Sequence, residues 1–414
     1  MEDIRWFVGV DWAKEEHRAC VIDANGRRVA ERAIAHGGTG LAELCAWLLK
    51  TTGAEAAEIA VAIETTRGPV VESLLEREFR VFAINPKQLD RFRDRFTVAG
   101  AKDDSRDGFV LASSLRTDSP AFRSLTMEDP LVVELREWSR MHDELAEERT
   151  RLVNRLQHHL WRYYPQAGEI ADDVGAEWFL DLWHQVPTPA AAAKVRKSTI
   201  AHILKKHRIR RFDADHVLKT LRQRPLSVAP GTTEAATAHI RTIAKQLRLI
   251  NEQIKQADHR LDELCTAIGE AAPGQICEQR DVAILRSYPG LGRINIATLF
   301  AEASEPLRRR DYHVLRLLSG IAPVTRRSGK ALLVVRRYAC NTRLARAVYH
   351  WARIAIQHDP TSRRKYAALR QRGHSHGRAL RGVADRLLYV LCTLLKTQTL
   401  FDPGHQSPQL AAVP

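Results

Sequence analysis

Three β-patterned segments follow one another with no helix between them, and only afterwards do helices and strands alternate. The spacing predicts a short buried strand from Trp6 to Trp12 and a second from His17 to Asp23. The Asn25-Gly26 turn then leads to a third, Arg28 to Ala35. An amphipathic helix over Leu41 to Lys50, an apolar strand at Ile59 to Ile63, a helix over Val70 to Glu78 and a strand at Arg80 to Ile84 follow, before Asn85-Pro86. Few architectures accept that order.

Three antiparallel strands followed by alternating helices and strands is the order of an RNase H-like (RuvC-like) α/β fold. There, the end of the first strand, the end of the fourth and the last helix meet at one edge. Acids stand at all three places. Asp11 closes the run Phe7-Val8-Gly9-Val10, and Glu64 closes Ile59 to Ile63. A helix over residues 100–116 carries Asp104 and Asp107 three positions apart, hence on one face, with Phe109-Val110-Leu111 packing inward. Taken singly, each is an ordinary surface acid or a helix-cap neighbour. Together they make the kind of carboxylate cluster that holds divalent metal ions against phosphate.

The charge balance agrees. Among 414 residues, 64 Lys and Arg outnumber 49 Asp and Glu, a formal net charge of +15 that favours a polyanionic partner, nucleic acid first. The six cysteines are scattered without a CxxC pair, which fits a reduced cytoplasm and argues against structural zinc. The start of the chain lacks the pattern of a signal peptide. The apolar run Leu387 to Leu395 is about half the length a bilayer requires, so no membrane partner is expected.

Beyond residue 130 the pattern turns helical. Leu131, Leu135, Trp138, Leu145, Leu152, Leu156 and Leu160 share one face of a long helix. A second, over Ile240, Ile243, Leu247, Ile250, Ile254, Ala257, Leu261 and Leu264, steps by threes and fours as a heptad seam does. The two could pair within one chain or across a dimer. Between them, residues 166–235 form a mostly helical insert with basic clusters at Lys194 to Lys197 and Lys205 to Arg211. The predicted division is therefore 1–125, 126–270, a helical C-terminal domain over 271–400, and a disordered tail over 401–414.

Two motifs mark the C-terminal third. Tyr288-Pro289-Gly290-Leu291-Gly292 between helical segments resembles a helix-hairpin-helix element, in which Pro289, Gly290 and Gly292 bring backbone N–H groups to a phosphate. A plain interhelical turn fits equally well. Gly320-Ile321-Ala322-Pro323-Val324-Thr325-Arg326-Arg327-Ser328-Gly329-Lys330 sets one serine among three cations and a glycine. Arg326, Arg327, Gly329 and Lys330 suit a phosphodiester. Chemistry alone favours a phosphate-binding loop, with Ser328 a nucleophile only if a base or metal activates it.

Val8-Gly9-Val10-Asp11, Glu64-Thr65-Thr66-Arg67-Gly68, Asn85-Pro86 and Lys102 to Asp107, then Pro289 to Gly292, Gly320 to Pro323 and Ser328-Gly329, form an ordered set. That set resembles the DEDD transposases of the IS-one-ten family of bacterial insertion sequences, over nearly the whole chain. The resemblance implies a RuvC-like domain joined by a coiled coil to a serine-bearing transposase domain. It implies that Asp11, Glu64, Asp104 and Asp107 bind magnesium, two ions per site. Ser328 matches the serine proposed to attack DNA and form a phosphoserine link. It further implies donor and target DNA, a structured guide RNA (a bridge RNA), a dimeric or tetrameric homo-oligomer, and work at the bacterial nucleoid.

Two positions depart from the family pattern. Gly108 stands where alanine is usual, and Asp103 where a small hydroxyl residue is usual. Asp103 is thus an alternative ligand, although Asp104 keeps the three-residue step to Asp107. The expectation is one active centre built from two domains far apart in sequence. The alternatives are a metal-dependent junction nuclease in which Ser328 only holds phosphate, and a non-catalytic nucleic-acid scaffold.

Overall fold

The structure, a computed structural model, describes residues 3–95, 104–268, 281–329 and 331–404, and the side chains of all of these except Asp104, Ser105 and Ala331. The chain forms two compact units, Met1–Asp129 and Pro130–Pro414.

The first unit is a mixed sheet with helices on both faces. Its strands are β1 (Trp6–Asp11), β2 (Glu16–Asp23), β3 (Arg28–Ala35), β4 (Ile59–Ile63), β5 (Arg80–Ala83) and β6 (Arg123–Ser124), in the order β3-β2-β1-β4-β5-β6. The β1–β2 and β2–β3 pairs are antiparallel, whereas β4 runs parallel to both β1 and β5. This order is consistent with the RNase H-like expectation. β4 is buried at every position, as a central parallel strand must be, while the edge strand β3 exposes most of its side chains.

Helices α1 (Gly38–Thr52), α2 (Pro69–Glu76), α3 (Pro86–Arg93) and α4 (Asp104–Thr117) cover the sheet. Alternation along the strands sorts the core into two layers. Val8, Val10, Ala19 and Val21 pack with Leu41, Leu44 and Leu48 of α1 and Val70 and Leu74 of α2. Phe7, Cys20, Ile22, Ala60 and Ala62 pack with Leu89 of α3 and Val110, Leu111 and Leu115 of α4. Helix α3 lies beyond the predicted elements. Its Asn85 cap, whose side chain accepts the Lys87 N–H at 2.9 Å, and Pro86 in the first turn explain why it forms.

Helix α4 lies unusually close to β1. A methyl group on Gly9 would sit 1.9 Å from the Gly108 carbonyl oxygen and 2.7 Å from the Ala112 amide nitrogen. Gly108, the departure from family pattern, belongs to the same contact: a methyl there would meet Gly9 O and Cys20 Cβ, both at 3.3 Å. Bare backbone at residue 9 is what lets α4 rest on the strand.

The second unit is built on two long helices, α5 (Pro130–Tyr163) and α11 (Thr232–Ile268). Five short helices come between them: α6 (Pro165–Glu169), α7 (Glu177–Gln185), α8 (Pro189–Lys194), α9 (Lys197–Lys206) and α10 (Ala214–Leu221). The long helices pair antiparallel within the chain. Arg260 Nε donates to Glu134 Oε1 at 2.8 Å, Arg149 Nε to Asn251 Oδ1 at 2.7 Å, and the His159 and His239 rings meet at 4.4 Å. Every predicted seam residue of α11 is buried except Ile254, which is partly so. The insert caps one end of the pair with Trp178, Phe179 and Trp183 against Leu152, Leu156, Ile240 and Leu247.

Helices α12 (Asp281–Ser287), α13 (Arg293–Arg308), α14 (Tyr312–Leu318), α15 (Thr342–His358), α16 (Pro360–Gln371) and α17 (His376–Thr397) follow, with a hairpin of β7 (Val324–Ser328) and β8 (Ala331–Val335). Their core, around Trp351, Leu387 and Leu391, also takes in Leu135 of α5 and Leu261 and Leu264 of α11. The predicted division near residue 270 is therefore no break in packing. Phe401 stacks edge-on against Tyr288 at 4.6 Å, while the rest of the predicted tail, 405–414, lies outside the described residues. Among the described residues no helix is long and apolar enough to cross a membrane.

The Gly9 contact makes a test. Gly9→Ala is expected to cost about 3 kcal/mol in urea denaturation, by overpacking. Gly108→Ala should stay within about 1 kcal/mol, because better helix propensity offsets its tighter fit. Equal stability of the Gly9→Ala and wild-type chains would show that α4 does not press on β1.

Candidate functional site

Sheet order sets the first group of acids. Asp11 ends β1 and Glu64 follows β4, and the parallel register Val10↔Ile63 brings both to one end of neighbouring strands, about 4.8 Å apart in the sheet. The close seat of α4 on β1 delivers Asp107 to the same edge, where it is 5% exposed.

A cation holds two of these three acids. Arg93, the last residue of α3, donates from Nε to Asp107 Oδ1 and from Nη2 to Asp107 Oδ2, both at 2.8 Å. Nη2 also reaches Glu64 Oε1 at 3.2 Å, and Nη1 pairs with Asp90. Burial alone would lower the Arg93 pKa, but the hydrogen bonds and charge of Asp107, with Glu64 and Asp90 behind them, raise it. The fork geometry is the one a carboxylate receives best.

Among the described residues, no three His, Cys, Asp or Glu side chains form a ready metal cage. Arg93 stands between Glu64 and Asp107, and the Asp104 side chain and all of Asp103 lie outside the described residues. The donor chemistry nonetheless fits a hard divalent ion, since Asp11, Glu64 and Asp107 offer only carboxylate oxygens.

The turn after Asp11 is held from below. His17, 1% exposed on β2, accepts the Ala13 N–H through Nδ1 at 3.3 Å. Its Nε2 lies 3.0 Å from His36 Nδ1, so with Nδ1 accepting, Nε2 carries the proton and donates. Burial, then the neighbouring His36, lowers the His17 pKa.

Of the C-terminal residues, Ser328 closes β7 opposite Ala331 and is exposed. Gly329 continues the turn at φ 54°, and alternation along β7 puts Arg326 on the Ser328 face and Arg327 on the other. Lys330 lies outside the described residues. The 289–292 turn packs against the chain's own α15. Trp351 Nε1 donates to the Pro289 carbonyl at 3.0 Å, and a methyl on Gly290 (φ 77°) would lie 2.8 Å from the Ala355 amide nitrogen. Gly290 is bare because the chain's own α15 approaches it. Gly292 caps α13 with open space around it.

A family model described as a transposase, the DEDD domain of IS110 elements, matches residues 8–165. Another, described as "Transposase IS116/IS110/IS902 family", matches residues 282–367. The "mini-circle putative transposase for IS117" of Streptomyces coelicolor is 32% identical over 406 residues, covering 96% of this chain and 95% of the relative.

The chain belongs to the IS110 family of transposases.

The "putative transposase y4uE" of Sinorhizobium fredii is 61% identical over 209 residues, covering 50% of this chain and 58% of its own length. An IS900 protein of Mycobacterium paratuberculosis is 27% identical over 414 residues, 96% of this chain and 97% of the relative. IS110-family membership makes this an insertion-sequence transposase, an enzyme acting on DNA, and the DEDD acids imply divalent metal use. The two matched stretches contain the acid edge and the Ser328 hairpin respectively. Arg93 and the His17–His36 pair escaped the sequence reading. The Asn85-Pro86 cap, with Leu89 and Phe92 ahead of Arg93, was the available signal for the first.

His17 gives a pH test. A base with a lowered folded pKa contributes stability above its unfolded value near 6.5, and that contribution is lost as pH falls below it. Urea unfolding between pH 8 and pH 5 should show a decline beginning near pH 6.5. His17→Gln should flatten part of that slope, and an unchanged slope would remove His17 from the account.

Proposed function

We propose that this transposase cuts and rejoins donor and target DNA at a magnesium-dependent carboxylate centre, with Ser328 as the attacking group. The observation that carries the reading is the convergence of Asp11, Glu64 and Asp107 on one sheet edge, with Arg93 already gathering two of them. Asp11, Glu64, Asp104 and Asp107 would hold the metal, two ions per site. When bound, magnesium neutralises charge on the scissile phosphate and polarises it for in-line displacement.

The chain's own groups do the rest. Ser328 Oγ attacks phosphorus; the Oγ–P bond forms, one P–O bond to deoxyribose breaks, and the serine proton ends on the departing oxygen. The phosphoserine link conserves the phosphodiester energy, so a second strand's hydroxyl can reverse the step without ATP. Arg326, on the same hairpin face as Ser328, and Arg327 draw the backbone in. Arg93 satisfies the buried Asp107 carboxylate until metal arrives. Gly292 and the start of α13 remain the candidate backbone donors of the 289–292 turn.

Base reading is assigned to a guide RNA, as the family resemblance implies; the +15 charge suits polyanionic partners, and the working form is a homo-oligomer at the nucleoid. The two long helices are read as the coiled coil that the family resemblance implies.

Two measurements follow. Arg93→Met should lower stability by about 2 kcal/mol in EDTA, because buried Asp107 loses a partner that is itself partly exposed. Added magnesium should then raise its Tm more than that of wild type; equal shifts would show that Arg93 does not share the metal's place. Second, wild type, Asp11→Asn and Ser328→Ala would be incubated with magnesium, donor DNA and RNA transcribed from the element's flanks. On a denaturing gel the covalent protein–DNA adduct is expected in wild type alone. Cleavage without adduct, unaffected by Ser328→Ala, would make the protein a metal-dependent nuclease.

A further inference from the structure

A cavity of about 540 Å³ opens at the base of the β7–β8 hairpin, at the end away from Ser328. Gly320, Arg336, Tyr338, Tyr349, Leu380 and Arg381 are among the residues that line it. They come from the α14–β7 turn, the segment after β8, α15 and α17. Its volume falls in the range of small-ligand sites, roughly 300–1,000 Å³.

Its charge is uncompensated. Three partly buried arginines of the same bundle are paired: Arg316 with Asp385 at 2.6 Å, Arg310 with Asp281 at 2.7 Å, Arg343 with Glu302 at 3.0 Å. Among the described residues no carboxylate lies within ion-pair reach of Arg336, Arg378 or Arg381. Arg378 and Arg381 stand three positions apart on α17, and Asp385, one turn on, is taken by Tyr312 and Arg316. Burial and the neighbouring Arg336 and Arg378 cations push the Arg381 pKa down, a cost that a bound anion would relieve. An aromatic ring completes the site. Tyr338 is 78% exposed, and the Arg336 guanidinium lies over its ring at 5.1 Å.

We infer that this cavity holds one nucleotide of an unpaired strand, its phosphate against Arg336 and Arg381 and its base stacked on Tyr338. An exposed tyrosine beside cations is the arrangement by which single strands are held without sequence preference. A duplex keeps its base faces covered and could not use the ring. From Val324 to Ser328 the hairpin spans four steps of about 3.3 Å, roughly 13 Å. A strand anchored at the cavity would thus run along the hairpin toward the serine. This inference rests on the proposal that the protein handles DNA and RNA strands, and adds where an unpaired one is gripped.

The test is fluorescence anisotropy on the full chain, with labelled oligothymidylate, oligouridylate and a DNA duplex of the same length. Tyr338→Ala is expected to weaken single-strand binding about tenfold or more, with duplex binding unchanged and Tyr338→Phe near wild type. Arg381→Gln should reduce the salt slope of single-strand binding by about 0.7. The strand that suffers, DNA or RNA, identifies the source. Wild-type single-strand affinity in Tyr338→Ala and Arg381→Gln would overturn the cavity assignment and leave the transposase proposal standing. A wild-type chain that binds neither strand nor duplex would overturn both.

Discussion

The backbone contact between Gly9 and Gly108 governs the N-terminal unit. Close approach there, with 1.9 Å from a notional methyl carbon to a carbonyl oxygen, has no room for any side chain at residue 9. It brings Asp107 and Gly108, the fourth and fifth residues of α4, down onto β1. Asp107 is thereby buried beside strand ends that already carry Asp11 and Glu64. Remove the contact and Asp11 and Glu64 still share an edge, but Asp107 no longer joins them.

Burying a carboxylate is costly unless it is paired, and Arg93 supplies the pairing. Its position at the end of α3 depends on the Asn85 cap and on Leu89, which is fully buried beneath the helix. One guanidinium satisfies both oxygens of Asp107 and reaches Glu64 as well. A positive charge is therefore already part of this edge, and the like-charged acids need not repel one another. The His17–His36 pair restrains the adjoining turn by a separate, pH-sensitive means.

The C-terminal unit follows a different logic. Its long helices and the α12–α17 bundle share a core, and several of its arginines, Arg310, Arg316 and Arg343 among them, are tied to acids across helix contacts. Basic residues so paired contribute to packing rather than to a partner. What distinguishes the surface around Tyr338 is the combination of a cavity, cations without such acids and an exposed ring. Net charge describes the whole chain, but only this sorting shows which arginines remain for a ligand.

Local periodicity by itself determined the succession of strands and helices along the first unit, the acids at strand ends, and the apolar seam of α11, because alternation by two or by three and four is written residue by residue. It also placed Ser328 among cations. Tertiary structure alone decided that the long helices pair within the chain, that Arg93 enters the acid edge, and that Gly290 accommodates α15 rather than standing open to a phosphate. It likewise decided which arginines around Tyr338 lack acids. Each of these depends on residues distant in sequence arriving at one point, and no local pattern encodes the distance between them.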